Sequence, residues 1–339
     1  MESINYSTIL YLILTIFSIS GIYGGYEKKW YICTYMSKFS VNILGCGSAV
    51  PTAMHQPSCQ VVDFRDRLMM IDCGEGAQSM MRRMKLKFSR LCEVFVSHMH
   101  GDHCFGLPGL LSTMALHEKG GRVTLHLPAD GVAVMRNYIS YFCRDTPFDI
   151  VYEPISPKGG LVYEDHALRV EAFPLYHRLP CTGFIFREKP KQPHLRGDVL
   201  DFYNVPLSMR GAIKDGADFV TPDGVMVPNS RFVLPAEPSV SYAYCSDTMM
   251  DERVAKAVEG VDVLYHEATY SDEMAAQARE YGHSTAGQAG RIARMAGVKK
   301  LIIGHYSKRI TDVEVLVNEA KKEFEFVVPA NEGLKIDLL

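Results

Sequence analysis

The feature that most constrains this chain is six residues long: His98-Met-His100-Gly-Asp102-His103, directly after the apolar run Cys92–Ser97. A short apolar run of this kind reads as a buried strand. His98 and His100 are two apart, so in an extended segment both rings face one side. Gly101 permits a tight turn. Asp102 and His103 are adjacent, so in the same segment they point apart and can serve a second position. Three imidazoles and a carboxylate so close together suit zinc or a similar divalent ion. Six residues cannot complete two metal shells, so the fold must deliver further ligands from the ends of other strands.

The chain supplies candidates. His177 follows the apolar run Leu168–Phe173 and Pro174-Leu-Tyr176, Asp247 follows Tyr242-Ala-Tyr-Cys-Ser246, and His305 follows Leu301-Ile-Ile-Gly304. Each stands where an apolar strand stops, the position at which α/β folds place their sites. A carboxylate such as Asp247 can bridge two ions and hold them roughly 3.5–4 Å apart, the spacing of two-metal hydrolases.

Other apolar runs, closed by Gly, Pro or polar clusters, read as strands at Phe39–Leu44, Gln60–Asp63, Leu68–Ile71, Val123–Leu127, Thr182–Arg187 and Val261–Tyr265. Helical patterns fall at Glu75–Met84, Leu107–His117, Gly131–Phe142, Ser284–Ala296 and Asp312–Phe324. The alternation predicts an α/β layered fold. Residues 188–235 break it with the basic, proline-rich stretch Glu188–Arg196 and the turn signals Asp215-Gly216, Pro222-Asp223-Gly224 and Pro228-Asn229. They read as an inserted, projecting arm, with Lys189, Lys191, His194, Arg196, Arg210 and Lys214 as candidate phosphate contacts.

Of the 339 residues, 47% are hydrophobic and 22% charged, which supports a large core and excludes a disordered chain. Net charge is 36 − 39 = −3, so nucleic-acid binding requires a local basic patch. Nine scattered cysteines with no C-x-x-C pair predict a reducing, cytoplasmic setting. Residues 1–35 stand apart from the domain at 36–339. Residues 4–26 carry no charge and are borderline for a membrane span, with Lys28 and Lys29 after them. Three readings stay open: an over-extended start ahead of Met36, a membrane anchor, or a cleaved signal.

The metal motif and its strand-end partners resemble those of the metallo-β-lactamase superfamily. Within it the chain resembles short-form ribonuclease Z, the tRNA 3′-processing endonuclease. The resemblance runs from about Phe39 to the C-terminus. It is carried by Gly45–Pro51, Asp72-Cys-Gly-Glu-Gly-Ala-Gln78, Ser89–His103, Gly106–Leu111, Tyr265-His-Glu-Ala-Thr269, Gly282-His-Ser-Thr285 and Gly304-His-Tyr-Ser-Lys-Arg309. It implies a four-layer αββα sandwich of two related halves, with the projecting arm inserted. It implies two zinc ions per subunit, manganese being a possible substitute: one held by His98, His100 and His177, the other by Asp102, His103 and His305, with Asp247 bridging. Asp102 would also accept the proton of the attacking water, and His283 would protonate the leaving group. Glu267 is placed to orient that histidine, and Ser284, Thr285 and Arg309 join the arm cations as substrate-binding candidates.

The implied partner is precursor tRNA, cut to leave a 3′-hydroxyl on the tRNA and a 5′-phosphate on the trailer. The implied assembly is a homodimer in which one subunit's arm clamps the tRNA cut by the other; no stable partner of another kind is implied. The apolar face Leu107, Leu110, Leu111 and Met114 is a candidate for that interface, or core. One departure is the loop Thr52-Ala-Met-His-Gln-Pro-Ser58, which offers His55 and Gln56 where the family carries a basic patch. Two other classes stay in view: a superfamily hydrolase of a small phosphodiester or thioester, and a non-catalytic RNA-binding scaffold. The arm argues against the first and the full ligand set against the second.

Overall fold

The computed structural model describes residues 39–117 and 120–338. The expectations for residues 1–35 lie outside them. Among the described residues no helix is long and apolar enough to cross a membrane.

The first half supplies strands β1 (Phe39–Gly45), β2 (Cys59–Phe64), β3 (Arg67–Ile71), β4 (Leu91–Phe95), β5 (Arg122–Pro128) and β6 (Asp149–Ile155). The second supplies β7 (Gly160–Glu164), β8 (Leu168–Leu175) and β9 (Cys181–Glu188), then four two-residue strands, β10 (His194–Leu195), β11 (Phe219–Val220), β12 (Met226–Val227) and β13 (Val233–Leu234). It closes with β14 (Ser241–Cys245), β15 (Val263–Glu267), β16 (Lys300–Gly304), β17 (Val327–Pro329) and β18 (Lys335–Asp337).

Two seven-stranded sheets repeat one pairing scheme. In the first, β18-β1-β2-β3 pair antiparallel and β3-β4-β5-β6 parallel. In the second, β7-β8-β9-β14 pair antiparallel and β14-β15-β16-β17 parallel. β18 crosses from the far end of the chain to complete the first sheet. The sheets face each other, with helices outside them, in the expected αββα order.

Side-chain alternation shows why. In β3, Met69 and Ile71 join the core shared with the second sheet, whereas Leu68 and Met70 join the core under the helices Ala77–Arg83, Leu107–Leu116 and Val132–Phe142. The helix Ala286–Ala296 packs on β15 and β16. Strands buried on both faces read as unbroken apolar runs, and each buried Leu or Phe contributes roughly 1.5–3 kcal/mol. Arg65 and Asp66, both at positive φ (46° and 64°), close the β2–β3 hairpin in two residues, the geometry whose twist matches paired strands.

Three expectations become more specific. Leu107, Leu110, Leu111 and Met114 are fully buried, so that helix face is core and not an interface. The helix after His283 is capped by Thr285, whose hydroxyl accepts from Gln288 N in a capping box, and Ser284 lies outside it. The segment between β9 and β14 carries the helices Gly197–Phe202 and Leu207–Lys214. Leu200, Val205, Ile213, Phe219, Val227 and Phe232 form a core of its own there, so the inserted arm is a folded unit.

Candidate metal centre

All seven expected ligands converge at the strand ends. His98 Nε2 lies 2.9 Å from His100 Nδ1 and 3.5 Å from Asp247 Oδ2, and His177 Nε2 lies 3.8 Å from the same oxygen. On the other side, His103 Nε2 and His305 Nε2 lie 3.5 and 3.1 Å from Asp247 Oδ1, and 3.5 and 3.6 Å from Asp102 Oδ2. Asp247 therefore turns one oxygen to each group. His98 and His100 share one side of an extended segment, as their spacing predicts. Asp102 and His103 do not diverge, because Gly101–Cys104 is a single helical turn that swings both into the same group. Gly101 is needed there for close packing, since a Cβ would strike the Phe105 ring.

The partners behind the ligands fix their orientation. His103 Nδ1 donates to Asp72 Oδ2 (2.7 Å) and His177 Nδ1 donates to Gly282 O (2.8 Å). His305 Nδ1 meets Thr269 Oγ1 (2.9 Å) and His98 Nδ1 meets Ser97 Oγ (3.0 Å). In these four rings Nε2 is left to face the centre, the arrangement that presets a metal ligand. Asp72 is itself held by the Ser97 amide, the Ser97 hydroxyl and the Tyr244 hydroxyl. It stands at positive φ (54°). The sequence reading left out its role, although it follows an apolar strand as His177, Asp247 and His305 do.

The buried atoms His103 Nε2, Asp247 Oδ1 and His305 Nε2 make no hydrogen bond. Three convergent buried polar atoms without partners are costly, and a cation among them removes that cost. Burial, followed by neighbouring imidazoles, holds His98 and His100 below the ordinary histidine range; burial does the same for His177. All three are thus neutral and able to coordinate. Burial opposes ionisation of Asp102 and Asp247, but His103 and His305 outweigh it and hold both carboxylates far below their usual range. Ala49 N also donates to Asp102 Oδ2 (2.7 Å). The fit is to a metal centre of imidazole and carboxylate.

Beside it, buried Glu267 accepts from Thr248 N and His283 Nδ1 through one oxygen, each at 2.9 Å, and from Thr269 N and Oγ1 through the other. Burial works against a charged His283, but the Glu267 carboxylate prevails and raises the imidazole to about 9. His283 and Arg309 line a cleft of about 580 Å³ with His100, Asp102, His177 and Asp247; Phe105, Arg178, Tyr281 and Lys308 are among the other residues that line it.

Other substrate candidates are less free than their positions suggested. Ser284 and Thr285 are buried, their hydroxyls donating to Thr248 O and Asp272 Oδ1. In the arm, Lys189 pairs with Glu164, Arg196 with Asp198 and Arg210 with Asp201. Lys191 pairs with buried Glu188 at the arm's base. His194 contacts Glu237, and Lys214 ends the second arm helix.

A family model described as "Anti-Pycsar protein Apyc1" matches residues 39–189. Curated relatives match over nearly the whole described chain. A ribonuclease Z of Parabacteroides distasonis is 49% identical over 304 residues, covering 89% of this chain and 100% of the relative. One of Porphyromonas gingivalis is 46% identical with the same coverage. Among solved structures, human tRNase Z, short form, superposes with a TM-score of 0.63 at 23% identity, covering 88% of this chain and 99% of that one. The metallo-β-lactamase fold protein YhfI of Bacillus subtilis gives 0.64 at 16%, with the same coverage. These two likenesses concern the fold.

Proposed function

The chain belongs to the ribonuclease Z family, and from that premise we propose a two-zinc endoribonuclease that removes the 3′ trailer from precursor tRNA. It is a metal-dependent phosphodiester hydrolase of the metallo-β-lactamase fold, acting in tRNA 3′ processing. The observation that carries the two-ion reading is Asp247, which presents one oxygen to each histidine group, with unpartnered His103 Nε2 and His305 Nε2 beside it. The donor set, imidazole and carboxylate without sulfur, suits zinc and accepts manganese. Bound there, two ions supply charge for the scissile phosphate and bring a water's pKa toward about 7.

The remaining roles fall to the chain's own residues. Asp102, ionised and held by the Ala49 amide, orients the attacking water and takes its proton. His283, protonated on the strength of Glu267, faces the cleft and delivers a proton to the leaving 3′ oxygen of the ribose. The products are a 3′-hydroxyl on the tRNA and a 5′-phosphate on the trailer. Arg309, Lys308 and Arg178 in the cleft lining meet backbone phosphates.

The arm holds the tRNA body. Five of its six candidate cations are paired, but exposed pairs such as Arg196–Asp198 are worth about 0–1 kcal/mol, so phosphates can displace the acids. The enzyme acts in the cytoplasm as a homodimer. Exposed Val134, Tyr138, Tyr141 and Phe142 on one helix support that assembly. The deciding experiment incubates purified protein with precursor tRNA carrying a 3′ trailer, with and without a chelator. Chelator-sensitive release of one trailer is expected. Cleavage of a small phosphodiester or thioester, with none of the tRNA, would favour the superfamily alternative.

A further inference from the structure

We propose that Cys46, His55 and Glu332 form an additional, structural metal site for a zinc-class divalent ion, apart from the centre described above. The three residues come from three segments. Cys46 follows β1, His55 lies on the loop to β2, and Glu332 lies on the turn before β18. Cys46 Sγ is 3.4 Å from His55 Nδ1 and 3.6 Å from Glu332 Oε1. His55 Nδ1 is 3.0 Å from Glu332 Oε2. The three donor atoms lie within 4.8 Å of one another.

A tetrahedral zinc ion with its usual bond lengths sets its ligand atoms roughly 3.3–3.6 Å apart. The spacing here is close to that before any ion is added. Thiolate, imidazole and carboxylate together favour zinc over magnesium or calcium, which take oxygen. Cys46 is fully buried, while the His55 and Glu332 side chains are 12% and 15% exposed, which leaves a fourth position open to water. Binding releases the thiol proton to solvent and leaves the His55 proton on Nε2.

The position gives the ion work to do. Gln56 N donates to Glu332 Oε1, and Gly47 N donates to Gln56 O, both at 2.8 Å, so this cluster closes the loop at its base. The same loop carries Ala49, held at φ 64°, whose amide reaches Asp102. An ion here pins that strained residue against the catalytic cleft.

Cobalt(II) substitution tests this, because the other ligand set contains no sulfur. A near-ultraviolet thiolate-to-cobalt band that Cys46→Ser removes therefore reports this site. The wild type and Cys181→Ser should show the band and hold one more equivalent of cobalt than Cys46→Ser, which should show none. Cys181→Ser is the control because Cys181 Sγ lies 3.6 Å from His98 Nδ1. Glu332→Gln, which keeps an acceptor for Gln56 N, should lose the extra equivalent to a chelator first, and it decides the matter if Cys46→Ser does not fold. No band in the wild type, equal cobalt in wild type and Cys46→Ser, or a band that depends on Cys181 would overturn the proposal and leave a hydrogen-bonded cluster. Trailer cleavage is assayed separately, so its failure would count against the nuclease reading alone.

Discussion

Glu267→Gln isolates the charge that keeps His283 protonated. The substitution keeps the shape and an acceptor for Thr248 N, but removes the carboxylate 2.9 Å from His283 Nδ1. That carboxylate is what raises the imidazole from 6.5 to about 9 against the effect of burial, a difference of about 3 kcal/mol. The sign follows from a raised value: the stabilisation is complete below pH 6.5 and lost as pH climbs through about 9. At pH 8 the wild-type ring is about nine-tenths protonated, whereas a ring at 6.5 is about one-thirtieth protonated. If His283 is the general acid, kcat/KM for precursor tRNA should fall about 30-fold at pH 8 and change little near pH 5.5. Bound cations move both profiles toward acid, so the test is the separation between wild type and variant at equal metal content. Superimposable alkaline limbs would refute the general-acid role, or the part assigned to Glu267 in it.

Three further substitutions and one deletion probe the rest of the site and its support. Asp247→Ala should remove most metal and nearly all activity, since each oxygen serves one group; plasma mass spectrometry finding both ions retained would end the bridging role. Asp72→Asn should weaken metal retention by roughly 10–100-fold by freeing the His103 ring, measured by chelator competition; unchanged retention would show that Ser97 and Tyr244 suffice. Gly106→Ala places a Cβ on the Gly74 carbonyl and should cost about 1–3 kcal/mol in denaturant unfolding, with an unmoved midpoint showing that the loop yields. Replacing residues 190–237 by a short linker is geometrically mild, because Ser239 Oγ donates to Lys189 O across the neck; tRNA cleavage should collapse while a small phosphodiester is still hydrolysed, and tRNA binding should depend less steeply on salt. Equal tRNA cleavage would remove the arm from recognition.

How far the sequence carried each of these features depends on how local its cause is. His98 through His103 form the site's nucleus because their spacing and the strand before them act within ten residues. His177, Asp247 and His305 were visible because apolar strands end at them. β6 and β7 were not, since half-exposed sheet-edge strands such as Asp149–Ile155 and Gly160–Glu164 show no apolar run. The arm's core was hidden for a related reason: Leu200, Val205, Ile213, Phe219, Val227 and Phe232 are spread over thirty-three positions among polar residues. The pairing of Arg210 with Asp201 spans nine residues, which no motif marks. An apolar helix face at Leu107–Met114 reads identically whether a sheet or a second subunit covers it.

The repeated pairing scheme explains why one aspartate was found and its counterpart was not. β3 and β14 hold the same place in their sheets, each antiparallel to one neighbour and parallel to the other. Asp72 follows β3 directly, and Asp247 follows β14 by two residues. The two halves thus bring a carboxylate to matching strand ends, facing one histidine cluster from opposite sheets. Asp247 reaches the space between the histidines and can bridge it. Asp72 stops one ring short, at His103 Nδ1. The difference of one residue in strand-to-aspartate spacing separates a ligand from the residue that aims one. Moving the carboxylate forward, with Asp72→Glu, should therefore push His103 out of register and cost metal without adding a ligand; a variant that keeps both ions and full activity would show that the spacing does not set the role.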